Sequence, residues 1–169
     1  MRAHQIDAVI VPTGDPHLSE YVAPCWQGRA WLSGFTGSSG TFIATQDFAG
    51  VWTDGRYWIQ AELELAGSGI ALMKTPSGNS LLYVDWLAAN LAAGQTVAVD
   101  GAVLGLATAR TLDAQLAKGD VLLRHDIDLL DQVWLDRPGL PTATVHEHLT
   151  PHAVRTRVEK LTQLRVAMT

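Results

Sequence analysis

The residues best suited to chemistry lie in one stretch, WTDGRYWIQA, which covers residues 52–61. Asp54 follows a segment rich in β-branched and aromatic residues, and a segment of helical composition begins at Tyr57. A carboxylate at such a junction can accept the first free N–H groups of the helix. Arg56 would then stand in the first helical turn, where the helix dipole disfavours a cation. We therefore expect Arg56 to have an acidic partner, which is either a neighbouring carboxylate or a ligand.

The loop Gly34–Gly40 is the second candidate, because it has glycine at every third position. Phosphate-binding loops end in GK[ST] or follow the G-x-G-x-x-G spacing, and both open a helix. This loop has neither pattern and precedes a predicted strand, so a tight loop pressed against another surface explains its glycines better. Ser38 and Ser39 lie outside any G-x-S-x-G pattern, which gives a serine nucleophile little support.

The remaining candidates are weaker. His146 and His148 are separated by one residue, as zinc ligands on a strand can be, but no third ligand is nearby. A solvated linker therefore explains the segment better than a metal site. Cys25 is better explained as a small buried side chain than as a nucleophile. Trp26 lies near loops and is a candidate for contact with a partner.

Composition restricts the class of protein. The chain has 169 residues, 47% hydrophobic and 17% charged, which suggests about one domain. The net charge of −5 and the lack of a basic run argue against binding to nucleic acid or to an anionic membrane. No apolar stretch approaches the ~20 residues that span a bilayer, and no signal peptide is visible. The single cysteine fits a reducing compartment, so we predict a cytoplasmic protein.

Strands and helices alternate along the chain, which predicts an α/β sandwich. We predict strands at residues 6–11, 41–45, 50–53, 70–73, 96–100 and 121–123. We predict helices from Pro16 to Tyr21 with Asp15 as the cap, at 57–66, from Asn79 or Ser80 to Leu91, at 108–116 and at 127–135. Arg29–Ser33 is either a short strand or a turn of helix. The expected sheet is mostly parallel, with one antiparallel hairpin at residues 41–53.

The composition changes near the C-terminus. Residues 136–151 contain three prolines and several Thr, His and Glu residues, which indicates an extended linker after a domain at 1–135. Residues 152–169 carry four apolar side chains at helical spacing, Val154, Val158, Leu161 and Leu164. Since an apolar stripe needs a covering surface, we interpret 152–169 as the first helix of a second domain that the chain does not contain.

Five motifs in order, DPHLSEY, APC, SGFTGSSGT, WTDGRY and QA, closely resemble the N-terminal domain of aminopeptidase P. This is the Xaa-Pro aminopeptidase branch of the creatinase/prolidase family, and the likeness is greatest to its longer, three-domain cytosolic members. It covers residues 6 to about 75. Residues 78–136 are similar in layout only, and Arg157–Met168 resembles the opening of the family's second domain.

The resemblance implies a three-layer α/β/α sandwich with a mixed, mostly parallel sheet, of the creatinase N-terminal, ribonuclease-H-like kind. It also implies that the full-length enzyme removes an N-terminal residue that precedes proline. In the family, a C-terminal domain holds two divalent metals, usually manganese, through carboxylates and a histidine. Those ligand segments have no counterpart here, so we expect no catalytic residue and no metal in this chain, and no activity from it alone.

The resemblance further implies that this domain walls the active-site cleft, restricts it to peptides and contributes to subunit packing, in what we expect to be a homodimer. The expected wall and rim residues are Phe35, Ser38, Ser39, Asp54, Arg56, Tyr57, His17 and Glu20. A purely structural role for Asp54 and Arg56, bracing the two loops, remains open. The expected partners are the other domains of the same protein and a peptide with proline in second position. The alternative is a peptide- or protein-binding module of a family member that has lost its metals.

Overall fold

A computed structural model of the chain describes residues 1–76 and 81–168. Its central feature is a six-stranded sheet with the order β4-β3-β2-β1-β5-β6. The strands are β1 Ala8–Pro12, β2 Thr41–Ala44, β3 Ala49–Asp54, β4 Ala71–Thr75, β5 Thr96–Val99 and β6 Leu122–Arg124. Three strand pairs are parallel, and β2 is antiparallel to both of its neighbours. The predicted mixed sheet and the hairpin at 41–53 are both confirmed.

Strand residues alternate between the two faces of the sheet, and each face has its own core. Ile10 pairs with Ile43 and both belong to one apolar cluster, whereas the next residues, Val11 and Phe42, pair and belong to the other. Ile10 and Ile43 are almost completely buried. Full burial of such a side chain stabilises a fold by ~1.5–3 kcal/mol.

Helices cover both faces, which confirms the three-layer α/β/α sandwich. Helices α3 Leu82–Asn90 and α4 Leu106–Leu116 pack on the first face and supply Leu87 and Leu112 to its core. Near the other face, α2 Trp58–Glu64 contributes Ala61 to the second core, and Leu32 from α1 Gly28–Ser33 packs against it. The segment Arg29–Ser33, for which the sequence left strand and helix open, is therefore helical.

The predicted helix from Pro16 to Tyr21 is wrong. The Asp15 carboxylate accepts the backbone N–H groups of His17 and Ser19, each at 2.9 Å. Leu18 has a φ of 53°, in the left-handed region, which a right-handed helix cannot include. Asp15 thus satisfies local N–H groups in a turn and does not start a helix.

The predicted helix at 127–135 is also wrong, because only Leu130–Gln132 forms a short 3-10 turn. The Asp128 carboxylate accepts the N–H of Leu130 at 2.9 Å and pairs with Nη1 of Arg137 at 2.5 Å. Arg137 also donates to the carbonyl of Cys25 at 2.7 Å. These contacts hold the segment against the domain in an irregular path.

The predicted N-terminal caps of α3 and α2 have different outcomes. The proposed caps of α3, Asn79 and Ser80, lie outside the described residues, and the helix ends near the expected Leu91. Helix α2 begins at Trp58 with Tyr57 at its N-cap position, so Asp54 does not cap it directly.

The C-terminal segment forms α5, Arg157–Ala167, which begins with a capping box between Thr156 and Glu159. All the side chains of residues 154–168 are exposed. None of the helices in the described part of the chain is long and apolar enough to cross a membrane.

Candidate functional site

An open cleft of about 520 Å³ lies along one edge of the sheet, where four neighbouring strands begin or end. The carboxyl ends of β1, β3 and β4 meet there beside the first residue of the antiparallel β2, through the pairs Pro12–Thr41, Thr41–Trp52 and Asp54–Thr75. Ligands of α/β proteins bind preferentially at the carboxyl ends of parallel strands. The fold therefore makes this cleft the leading candidate for a functional site.

The cleft brings together five of the eight residues predicted from the sequence. These are Glu20, Ser38, Ser39, Asp54 and Arg56. The other three lie elsewhere: Phe35 is completely buried, Tyr57 stands behind the loop, and His17 is exposed but does not line the cleft. Phe35 and Tyr57 thus support the wall from behind. Of the eight predicted residues, the five that line the cleft can contact a molecule bound there.

Asp54 and Arg56 form a bidentate ion pair at the cleft. Nε and Nη2 of Arg56 donate to the two carboxylate oxygens of Asp54, each at 2.8 Å. The backbone N–H of Arg56 donates to the same carboxylate at 3.1 Å. These side-chain hydrogen bonds are the main reason that the pKa of Asp54 falls to about 2, and the carboxylate in turn raises the pKa of Arg56. Of the two acidic partners expected for Arg56, the structure contains the neighbouring carboxylate.

The ion pair leaves part of the Arg56 guanidinium available. Its side chain is 69% exposed, and its Cζ lies 5.2 Å from the centre of the Tyr57 ring. A guanidinium carries five N–H donors in a planar fork, and Asp54 takes those on one edge only. The opposite edge, with Nη1, can therefore bind a second carboxylate or a carbonyl oxygen within the cleft.

The loop Gly34–Gly40 packs tightly against its surroundings, as its glycines predict. A Cβ on Gly37 would lie 2.4 Å from the ring of Phe35 and 2.8 Å from that of Tyr57. The two rings meet edge to face with their centres 6.1 Å apart. A side chain at position 37 would separate these rings, so the loop needs glycine there.

Hydrogen bonds fix the outer side of the loop. Ser38 Oγ and the Tyr57 hydroxyl lie 2.6 Å apart, and Thr53 Oγ1 donates to the carbonyl of Ser39 at 2.7 Å. The Glu64 carboxylate accepts the backbone N–H and the hydroxyl of Thr36, at 2.8 and 2.7 Å. The N–H of Thr36 is the main cause of a lowered pKa of Glu64. These hydrogen bonds connect the wall of the cleft to α2 and β3.

Thr13, Arg29 and Glu64 also belong to the site or support its loop, although no sequence pattern indicated them. Arg29 is 5% exposed and donates from Nε to Thr13 Oγ1 at 2.8 Å. The sequence signal for Arg29 is weak: it is a charged residue that directly precedes the apolar residues Ala30 and Trp31. Its partners are mostly backbone carbonyls, which a sequence pattern does not reveal.

The described residues, 1–76 and 81–168, include no group of three or more His, Cys, Asp and Glu side chains that could hold a metal ion. The rings of His146 and His148 stack with their centres 5.4 Å apart, in an exposed segment. A dinuclear metal centre therefore does not fit the side chains described here. The polar side chains that line the cleft offer hydrogen-bond donors and acceptors and an ion pair.

A model of the creatinase/prolidase N-terminal domain matches residues 1–130. The chain belongs to this family. The resemblance inferred from the five motifs is thereby confirmed, and so is the fold class inferred with it. Aminopeptidase P2 from Arabidopsis thaliana is 38% identical over 163 residues, which are 95% of this chain and 23% of the relative. The chain spans about a quarter of the length of the curated relatives that it matches.

Solved structures agree with this family assignment. An X-prolyl aminopeptidase from Caenorhabditis elegans, described as a cytosolic enzyme with a di-nuclear active site, matches 96% of this chain and 27% of its own. The TM-score is 0.81 and the identity 30%. An X-Pro aminopeptidase from Thermotoga maritima shares the fold, with a TM-score of 0.54 and 20% identity over 81% of this chain and 35% of that one. The chain corresponds to the N-terminal domain of aminopeptidase P-like proteins.

Proposed function

We propose that this chain is the N-terminal, non-catalytic domain of a metal-dependent Xaa-Pro aminopeptidase. Such an enzyme removes the N-terminal residue of a peptide whose second residue is proline. Support comes from family membership together with similarity to aminopeptidase P relatives about four times as long. In this proposal residues 1–135 form the domain, 136–151 a linker, and 152–169 the first helix of a second domain.

The role of the chain is to shape the substrate cleft. The observation that carries this proposal is the convergence of the Gly34–Gly40 loop and the 52–57 segment on one open, polar cleft at the sheet edge. Proline has no N–H, so a peptidase that accepts it needs contacts with other groups of the peptide. The hydroxyls of Ser38 and Ser39, the open edge of Arg56 and the Glu20 carboxylate are suited to bind peptide carbonyls and charged termini.

The catalytic chemistry belongs to another domain in this proposal. Two divalent metal ions, manganese in our proposal, would activate the attacking water there. The relative from C. elegans, with its di-nuclear active site, supports a metal centre in the full-length protein. The cytosolic location of that relative also supports a cytoplasmic enzyme. We further propose a homodimer, in which this domain takes part in subunit packing.

A comparison of two proteins tests the proposed function. The full-length protein and the chain 1–169 are each incubated with Arg-Pro-Pro and manganese, and release of free arginine is measured. We expect turnover by the full-length protein and none by the chain alone. Turnover by the chain alone would refute the assignment of chemistry to another domain. A full-length protein that binds the peptide without cleaving it would instead indicate a binding module.

A further inference from the structure

We propose that Arg29 is a positioning residue for substrate binding, because it holds the Gly34–Gly40 loop in the shape that walls the cleft. This inference rests on the proposed function. Arg29 lies in α1, and none of the chemistry assigned above involves it. Its side chain connects α1, the end of β1 and the loop.

The environment of Arg29 is unusual for a cation. Only 5% of the residue is exposed, and none of the carboxylates in the described part of the chain lies within 4 Å of its guanidinium nitrogens, although Glu64 attracts it from farther away. Burial lowers the pKa of Arg29 to about 10, so the guanidinium is still charged at neutral pH. A buried charge costs stability unless hydrogen bonds compensate it. The hydrogen bonds that compensate this charge therefore indicate what Arg29 holds in place.

The hydrogen bonds of Arg29 converge on the backbone of the loop. Nη1 donates to the carbonyl of Phe35 at 2.9 Å, and Nη2 donates to the carbonyl of Gly37. The Cζ atom also lies 4.8 Å from the centre of the Phe35 ring, within cation–π distance. One planar group thus fixes two carbonyls that are two residues apart, which a flexible ammonium cannot do in the same geometry.

The third hydrogen bond extends this network to the cleft. Arg29 Nε donates to Thr13 Oγ1, and Thr13 Oγ1 donates to the carbonyl of Gly40 at 2.8 Å. Thr13 and Gly40 both line the cleft, as do Ser38 and Ser39 between the fixed carbonyls. Arg29 therefore sets the positions of the hydroxyl groups that the cleft offers to a peptide, although it does not line that cleft itself.

The test uses the full-length protein with Arg29→Met, which retains the length of the side chain and removes its donors. If Arg29 positions binding groups, the KM for Arg-Pro-Pro should rise ~10-fold with kcat changed less than ~3-fold, the pattern of lost uniform binding. Arg29→Lys retains the charge without the fork and should show a similar rise in KM. A wild-type KM in either variant would overturn the inference.

The matched control is Arg137→Met, which removes another largely buried arginine with a backbone carbonyl and a carboxylate as partners. Arg137 does not line the cleft, so the control should lower the melting temperature and leave KM unchanged. An equal rise in KM in the control would show that destabilisation alone explains the effect, and would overturn the inference. If Arg29→Met does not fold, Thr13→Val removes the hydroxyl between Arg29 and Gly40, and it should raise KM ~3-fold.

Hydrogen exchange separates this inference from the proposed function. In Arg29→Met, the amides of residues 34–40 should exchange at least ~10-fold faster than in the wild type, because the loop loses its anchor. The amides of β5 should not change. If the wild-type protein does not cleave the peptide, the proposed function fails, and the exchange result still decides whether Arg29 anchors the loop. Unchanged exchange at 34–40 would overturn the inference whatever the activity.

Discussion

At the scale of single residues, the Asp54–Arg56 ion pair makes the stability of the folded chain depend on pH. Arg56 lowers the pKa of Asp54 from its ordinary value of 3.8 to about 2. A carboxylate with a depressed pKa stabilises the folded state above its unfolded pKa, and this contribution is lost as the pH falls through the folded value. The pair should therefore contribute fully at neutral pH and not at all near pH 1.

Asp54→Asn tests this contribution. The variant lacks the charge that binds Arg56, so its urea unfolding midpoint should lie below that of the wild type at pH 7. The difference should shrink between about pH 4 and pH 2, where the wild-type carboxylate becomes protonated. Urea titrations followed by tryptophan fluorescence at pH 7, 4 and 2 measure it.

Asp47→Asn is the control for this experiment, because Asp47 lies in the exposed turn between β2 and β3. We expect its midpoint to follow that of the wild type at all three pH values. A constant difference between Asp54→Asn and the wild type from pH 7 to pH 2 would contradict the assigned pKa.

At the scale of elements, the cleft depends on the sheet, because four strand ends form its floor. The helices on the first face hold that sheet through side chains such as Leu87 in α3, which is completely buried. Leu63 in α2 is, by contrast, 74% exposed to solvent. The two positions provide a matched pair for measuring core packing.

Leu87→Ala should lower the free energy of unfolding by ~2–5 kcal/mol, since it removes buried methyl groups and leaves a cavity. Leu63→Ala should change it by less than ~0.5 kcal/mol, because the side chain is already in solvent. Urea unfolding of the two variants at one pH gives both values. Equal losses in the two variants would contradict the packing described for α3.

The elements also show what the sequence could predict. The hairpin at 41–53 was predictable because two segments rich in β-branched and aromatic residues and the short connection between them are local features. The prediction of a helix at 127–135 was wrong because these residues form an irregular segment. The ion pair between Asp128 and Arg137 holds this segment to the domain. Arg137 also donates to the carbonyl of Cys25, 112 residues away, and that contact depends on the tertiary structure.

In the site, too, local sequence features were predictable and tertiary contacts were not. The motifs grouped Ser38, Ser39, Asp54 and Arg56 as neighbours, and the structure brings these side chains together at one cleft, because loops that follow strand ends meet at one edge of the sheet. The burial of Phe35 and the network around Arg29 could not be read from the sequence. Phe35 is buried by an apolar cluster and Arg29 is held by backbone carbonyls, and the tertiary structure assembles both environments.

At the scale of the whole molecule, the sandwich and the C-terminal segment differ in how they are packed. All of the buried apolar residues found in the described chain lie between Ile6 and Trp134. Residues 138–152 and 154–168 are exposed throughout, including the apolar side chains of α5. In the proposed function, a second domain covers those apolar side chains.

Truncation after Gly139 tests this division. The truncated chain keeps Arg137 and its contacts but lacks α5, so its urea midpoint should equal that of residues 1–169. Loss of cooperative unfolding on truncation would show that the C-terminal segment stabilises the sandwich. A second truncation after Leu135 removes Arg137 as well, and we expect it to lower the midpoint.

The most direct test of the account is a crystal structure of the full-length protein with an uncleavable Arg-Pro-Pro analogue. We predict that the peptide lies against the cleft, with a polar atom within about 3.5 Å of Glu20, Ser38, Ser39 or Arg56. We also predict that the metal ions are bound entirely by residues outside this chain. A peptide that makes no contact with these residues would contradict the claim that this domain shapes the substrate site.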